Sequence, residues 1–325
     1  MTTAATGPAA ADAESDLSPF AERLAALLAE AGAADDAGLA QAACRARLSD
    51  GLPVLAPTPE RVEAMLAGRD PAEPAAGPLP ISFAMATWAD VAACAVLAGC
   101  APGAAPVVAA ALAALAQPAF NLLGVQATTG AASPLVVVHG PLVAELGLNA
   151  GANALGPGCA ANATIGRAVR LVLQNVGVCW PGEGDMATHG HPGKYTWLVA
   201  ENQPASPWPP LSVRLGGEAA DRAVSVFAGV GNVEVVLPTS PERLVSRLAR
   251  VLVGLAAPSA GLLLPPESAG VLHAVGWGEA ELAAALEANG ATPPWVLVTG
   301  GAGVKATVVP GWGGPSELCT EVLGP

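Results

Sequence analysis

The sequence predicts an α/β protein of two related α/β lobes with N-terminal accessory helices, and three observations predict it. Short apolar runs that read as strands alternate with alanine-rich runs that read as helices. The chain, at 325 residues, exceeds the length at which a single hydrophobic core usually stops growing. Two pairs of segments also echo one another: PTPERVEAML (57–66) in PTSPERLVSRL (238–248), and SPLVVVHG (133–140) in PWVLVTGG (294–301). The echoes point to an internal duplication with a boundary between residues 208 and 225, where Trp208-Pro209-Pro210 gives a stiff, extended connection. This divides the chain into a tail and accessory helices over 1–50, a first lobe over 51–210 that carries the site, and a second lobe over 211–325.

Residues 1–16 are rich in Ala, Gly and Asp without an apolar period and read as a mobile tail. Order is expected from about Ser18, where Ser-Pro precedes Phe20, Leu24, Leu27 and Leu28 at helical spacing; a second short helix is expected over 37–48. Leu52–Leu55 reads as a short strand, and Thr58 as the cap of a helix that starts on Pro59 and runs to about Ala67. The stretch 91–116 is free of charge and long enough to cross a bilayer. Gly99, Pro102, Gly103 and Pro106 break it, so it reads as two buried helices joined by a turn. Further strands are expected at 133–140, 195–200, 233–237 and 294–301, with a helix from Pro241 to about Val253.

Composition excludes several classes of partner. The formal charge is −13 and the only lysines are Lys194 and Lys305, so no basic patch exists to neutralise a run of phosphates or dock on an anionic leaflet. Neither nucleic acid nor membrane is expected as a partner. The six cysteines form no CxxC or zinc-knuckle spacing, which fits reduced thiols in a cytoplasm. Asp12, Glu14 and Asp16 ahead of Phe20 give the wrong charge for a signal peptide.

The chemistry is expected in residues 139–208, which hold three of the four histidines and the only tyrosine. The glycine-rich run 147–158 leads through Ala160-Ala161-Asn162-Ala163-Thr164 into an apolar helix, with Asn162 or Thr164 available as its cap. A helix start of that kind presents free backbone N–H groups to a carboxylate or phosphate, and Arg167 and Arg170 could add a guanidinium fork. In the next block, Asp185, His189 and His191 are residue types that suit a divalent metal, but the spacing is loose and neutral, hydrogen-bonded loop histidines are the favoured reading. No organic cofactor is expected. Lys194 and Tyr195 stand side by side after Pro-Gly, where a lysine can hold an anion or, once desolvated, act as a base. Glu201 and Asn202 follow a strand whose C-terminal end is where open α/β sheets bind ligands, making Glu201 the best carboxylate for proton transfer. The turn Thr299–Val304 with Lys305 offers a second anion cradle, and Cys159, just ahead of a helix start, would have its thiolate favoured there.

The strings NLLGVQATT (121–129), ANATIGRAVRL (161–171), PGKYT (192–196) and AEN with SPW (200–208) resemble the large region of the UGSC (seleno)proteins, a bacterial group named for a selenocysteine-or-cysteine, Gly, Ser, Cys motif in a separate segment. The resemblance covers roughly residues 53–315. It implies that Asn121, Gln126, Thr128, Asn153, Asn162, Arg167, Asp185, Lys194, Tyr195, Glu201, Asn202, Ser206 and Trp208 share one substrate pocket. The chain has no Cys-Gly-Ser-Cys segment. A small-molecule enzyme of lyase or reductase type is therefore expected, working on a carboxylate-bearing metabolite with Lys194, Tyr195, Glu201 and His191 as catalytic groups, either with a separate Cys-Gly-Ser-Cys subunit or as a homo-oligomer. A metal-dependent hydratase using Asp185, His189 and His191, and a non-catalytic substrate-binding subunit, are the competing expectations.

Overall fold

The computed structural model describes residues 20–31, 36–218 and 221–323; the tail over 1–16 and the expected start at Ser18 lie outside them. Helices α1 (Phe20–Ala31) and α2 (Asp36–Arg45) open the described chain; of the expected apolar positions Phe20 and Leu27 are buried and Leu24 and Leu28 half-buried, while Arg23, which the periodicity does not single out, is buried beside them. Arg23 ties these accessory helices down by donating to the carbonyls of Arg47 at 2.7 Å and Asn175 at 2.8 Å. Helix α3 (Pro59–Leu66) begins on its proline with Thr58 at the N-cap, although the Thr58 side chain makes no capping bond. A hairpin of β1 (Pro74–Leu79) and β2 (Ala84–Thr87) leads into α4 (Trp88–Ala98), whose start is fixed by a reciprocal cap between Thr87 and Asp90. Helix α5 (Ala105–Ala116) follows. The uncharged stretch is thus two buried helices and a turn, as expected, and no single helix among the described residues is long and apolar enough to cross a membrane.

The chain continues through α6 (Leu122–Ala127), β3 (Ser133–His139), α7 (Leu142–Glu145), α8 (Ala160–Asn175), the short pair β4 (Trp180–Pro181) and β5 (Gly184–Asp185), then β6 (Leu198–Ala200), α9 (Leu211–Arg214) and β7 (Ala223–Gly229). The remaining elements are β8 (Val233–Val236), α10 (Pro241–Leu255), β9 (Ala260–Leu264), α11 (Pro266–His273), α12 (Glu279–Ala288), β10 (Trp295–Val298), β11 (Lys305–Pro310) and β12 (Cys319–Val322).

Two four-stranded sheets, ordered β12-β7-β3-β6 and β10-β9-β11-β8, pack face to face. Alternation along the strands builds the layers. Leu135 and Val137 of β3, Val199 of β6 and Phe227 of β7 meet Leu263, Leu297 and Val309 of β9, β10 and β11 in the seam between the sheets. Their neighbours Val136, Val138, Leu198, Ala200, Val224 and Val226 point the other way, into a core closed by α4, α5, α8 and the accessory helices. On the far side Leu262, Leu264, Val296 and Val298 meet α10, α11 and α12. The result is a four-layer α-β-β-α sandwich.

The sheets have matching strand directions. Each contains one parallel pair (β3 with β6, β9 with β10), and the strand after it (β7, β11) returns antiparallel to the first member of the pair. The last position is filled from elsewhere: β7 runs on into β8, which pairs with β11, and β11 runs on into β12, which pairs with β7. A cut at residue 210 therefore fails to separate the lobes, because the first sheet takes β7 and β12 from beyond it. The sequence echoes do not carry this symmetry. Residues 52–55 form no strand, so 52–67 does not match the strand and helix at 233–255, and β3 corresponds in topology to β9 rather than to its echo β10.

Candidate functional site

Between β5 and β6 the chain folds back through a 3-10 turn, Pro192–Lys194, which sets Lys194 against Asp185. The Lys194 Nζ donates to both Asp185 oxygens at 2.7 Å, and both side chains are largely buried. Arg170 of α8 completes the corner: its Nη2 lies 3.6 Å from Asp185 Oδ2, and its Nε donates to the Lys194 carbonyl at 3.0 Å. Burial pushes the Lys194 pKa below the ordinary lysine value, while the Asp185 carboxylate pulls it partly back.

His191 lies in the same loop. Its Nδ1 accepts from the Gly193 N–H at 3.0 Å, so a neutral ring carries its proton on Nε2. That Nε2 is buried and finds no hydrogen-bond partner. Burial, then the charges of Lys194 and Arg170, hold the His191 pKa below its ordinary value and favour the neutral form. The ring stands edge-on to Trp197, with centroids 4.8 Å apart. Glycine is required at 193, because a Cβ there would sit 2.4 Å from His191 Cε1 and 2.8 Å from the Trp197 ring.

Gln126 lies on α6, the helix that packs against β5. It is 2% exposed, yet neither amide atom has a hydrogen-bond partner. A buried unbonded amide costs roughly 1–3 kcal/mol per polar group. His191 thus leaves one orphaned polar atom in the loop that carries Lys194, and Gln126 leaves a second orphaned group on the helix that packs against the Asp185 strand. The nearby thiol of Cys179 is pushed up to about 11 by burial, which keeps it protonated and poorly nucleophilic.

The other expected site residues take different places. Arg167 is a correction: its guanidinium clasps Asp50 at 2.7 and 2.8 Å and donates to the carbonyls of Pro53 and Leu52, holding the segment before α3 rather than an anion. Asn162 does not cap α8, whose N-cap is Cys159; it folds the glycine loop by accepting from Asn149 N–H and donating to the carbonyls of Asn149 and Ala154. Asn153, at φ +60°, donates to the Pro157 carbonyl. Asn121 caps α6 and reaches the Pro315 carbonyl, and Thr128 accepts from Trp312 Nε1 at 3.3 Å. Ser206 closes a turn onto Trp208, which is buried in the second-lobe core with its indole N–H on the Trp277 carbonyl. Tyr195 and His189 are exposed. Among the described residues no three His, Cys, Asp or Glu side chains group as a metal site, and Lys194 already holds the carboxylate of Asp185.

The glycine loop does meet the second lobe. Gly300 N–H donates to the Ala150 carbonyl at 2.9 Å, Thr299 Oγ1 to the Ala200 carbonyl at 2.7 Å, and Asn202 N–H to the Val298 carbonyl at 2.8 Å. The C-terminal ends of both parallel strand pairs are thereby stitched together. A cleft of about 280 Å³ lies between the glycine loop and the start of α8, lined by Leu155, Pro157, Asn162, Thr196 and Trp197.

Glu201 lies just past β6, as expected, but turns into the sheet–sheet seam at 1% exposure; its Oε2 is 2.8 Å from His139 Nδ1 and its Oε1 accepts from Leu211 N–H at 2.8 Å. Lys194 and Glu201 therefore serve opposite ends of β6 and share no pocket. Sequence reasoning missed His139 and the Ser225 beyond it; the available signal was a histidine at the end of an otherwise apolar run, in phase with Leu135 and Val137.

Comparisons with protein-family models, with curated proteins and with solved structures each find no match to this chain.

Proposed function

We propose that this protein is a small-molecule enzyme acting on a carboxylate-bearing metabolite at the corner formed by Lys194, Asp185, His191 and Gln126. One observation carries the reading: the loop that holds a largely buried ammonium also holds a buried imidazole nitrogen without a protein partner, and the helix packed against the Asp185 strand carries a buried amide that also lacks one. Those are the donors a carboxylate needs in a dry site. Lys194 would move from Asp185 to the incoming carboxylate, His191 Nε2–H and the Gln126 amide would complete its hydrogen bonds, and Asp185 would be left positioned to take or return a proton. A lyase-type proton abstraction beside the carboxylate is the simplest chemistry for this set. A reductase-type reaction would need the thiol-bearing subunit that the UGSC resemblance implies. Six free cysteines fit work in a reducing cytoplasm.

The test is calorimetric binding of a panel of 2-oxo, 2-hydroxy and 2-amino carboxylates to wild type, Lys194→Met and Gln126→Leu. Wild type should bind one class, and each variant should weaken it by about 10- to 100-fold, the loss of one charge-assisted hydrogen bond. Binding that both variants retain in full would move the site elsewhere.

A further inference from the structure

One connected chain of polar side chains crosses the first sheet on the face that meets the seam. Glu201 Oε2 is 2.8 Å from His139 Nδ1, His139 Nε2 is 2.9 Å from Ser225 Oγ, and Ser225 Oγ is 2.7 Å from Thr320 Oγ1. Sheet register places them there: Ser225 pairs with Val137 on one side and Thr320 on the other, so all three lie on the seam face, and His139 is two residues on from Val137. Exposure is 1% for Glu201 and 0% for His139 and Ser225. Thr320 alone is half-buried, on the edge strand β12, with its strand held by Gln117 Nε2 donating to the Thr320 carbonyl at 3.0 Å.

The proton order follows from the chemistry of the ends. The Glu201 carboxylate already accepts from Leu211 N–H, and as an acceptor it takes the His139 Nδ1 proton. With its proton on Nδ1, the ring offers Nε2 as an acceptor, so Ser225 donates to it, and the Ser225 oxygen is left to accept from the Thr320 hydroxyl. Every donor points inward. The Thr320 oxygen, at the edge-strand end of the chain, keeps its lone pairs and is polarised by the three bonds behind it.

We propose that Thr320 is a reactive hydroxyl, activated through Ser225, His139 and Glu201, that accepts an acyl group from an activated ester or thioester. In the attack, the Thr320 Oγ–carbon bond forms while the Thr320 proton passes to Ser225 and the Ser225 proton to His139 Nε2, with Glu201 stabilising the imidazolium. As the tetrahedral adduct collapses, the bond to the leaving alcohol or thiol breaks, His139 Nε2 returns its proton to Ser225, and the Ser225 hydroxyl proton passes directly to that leaving group. The product is an O-acyl threonine, with no change of oxidation state. Ser225, His139 and Glu201 are positioning residues, since Thr320 alone meets the acyl group. This site is separate from the Lys194 corner and does not depend on it.

The experiment is incubation of the full chain with p-nitrophenyl acetate at neutral pH, followed by proteolysis and mass spectrometry of the peptide holding Thr320. Wild type should carry acetyl on Thr320 ahead of every exposed serine and threonine, and Thr320→Val should lose it. Ser225→Ala keeps the His139–Glu201 pair and breaks the chain beyond it, and should acetylate Thr320 about 100-fold more slowly, with its fold checked by circular dichroism. Acetylation of wild-type Thr320 no faster than that of other exposed hydroxyls overturns the proposal, even if Ser225→Ala fails to fold. So does a folded Ser225→Ala that reacts at the wild-type rate.

Discussion

Lys194 donates to both oxygens of Asp185 at 2.7 Å while its own carbonyl receives the Arg170 guanidinium, so one residue is held at both ends by groups from two other elements. Removing the Asp185 charge strands the largely buried Lys194 ammonium, whereas removing the Lys194 charge leaves Asp185 only the more distant Arg170. Asp185→Asn should cost about 3 kcal/mol, read as a shift in the urea midpoint. The double variant Asp185→Asn/Lys194→Met should cost less than the sum of the singles, because the second change removes the charge stranded by the first. Simple additivity would mean that the pair is not coupled.

Arg167 separates structure from binding. Its bonds to Asp50, Leu52 and Pro53 predict that Arg167→Ala destabilises by about 3 kcal/mol and loosens the segment before α3. Its affinity for any carboxylate that Lys194 binds should stay within a factor of about two, since Arg167 is committed elsewhere. Urea unfolding and calorimetry on the same variant check both halves.

The His191 pKa lies below its ordinary value of 6.5 through burial, so the unfolded chain binds a proton there before the folded one does. Stability that is fully present above pH 6.5 should fall as pH drops toward the depressed folded value. His191→Gln should flatten that fall in melting temperature between pH 7 and pH 5. An unchanged slope would place the acid sensitivity at another group.

The thiols should divide by burial. Cys44 is exposed and Cys159 half-buried with its Sγ on the Gly147 carbonyl, whereas burial pushes Cys100 and Cys179 up to about 11 and Cys94 higher still. Iodoacetamide at pH 7.5 should modify Cys44 and Cys159 in the native protein and reach the buried Cys94, Cys100, Cys179 and Cys319 only on unfolding. Peptide mapping after timed quenching reads this directly.

Leu297 of β10 is fully buried in the sheet–sheet seam. Truncation to alanine should cost about 2–5 kcal/mol, and the same change at exposed Leu155 well under 1 kcal/mol, roughly the range for surface positions.

Periodicity made the layers legible where strands are apolar on both faces or helices on one: β3, the α4–α5 pair and α10 fall close to their expected positions. Leu52–Leu55 misled because proline and alternating exposure leave it an extended segment with no strand beside it. Arg167 misled because a guanidinium on a helix looks the same in sequence whether it faces a ligand or Asp50. Asp185, His191 and Lys194 were legible as dense ionisable groups in an uncharged chain, and Gln126 only through a resemblance. His139 and Ser225 stayed hidden, since their partners are 62 and 95 residues away and only sheet register brings them together.

Strand order has a consequence for biosynthesis. On a ribosome the strands of the first sheet emerge in the order β3, β6, β7, and the whole of β8 to β11 must follow before β12 can close the edge of β7. Through that interval a strand buried on both faces in the finished protein has an open hydrogen-bonding edge, the kind of surface that recruits strands from neighbouring nascent chains. The second sheet draws all of its strands from one contiguous segment and can complete first.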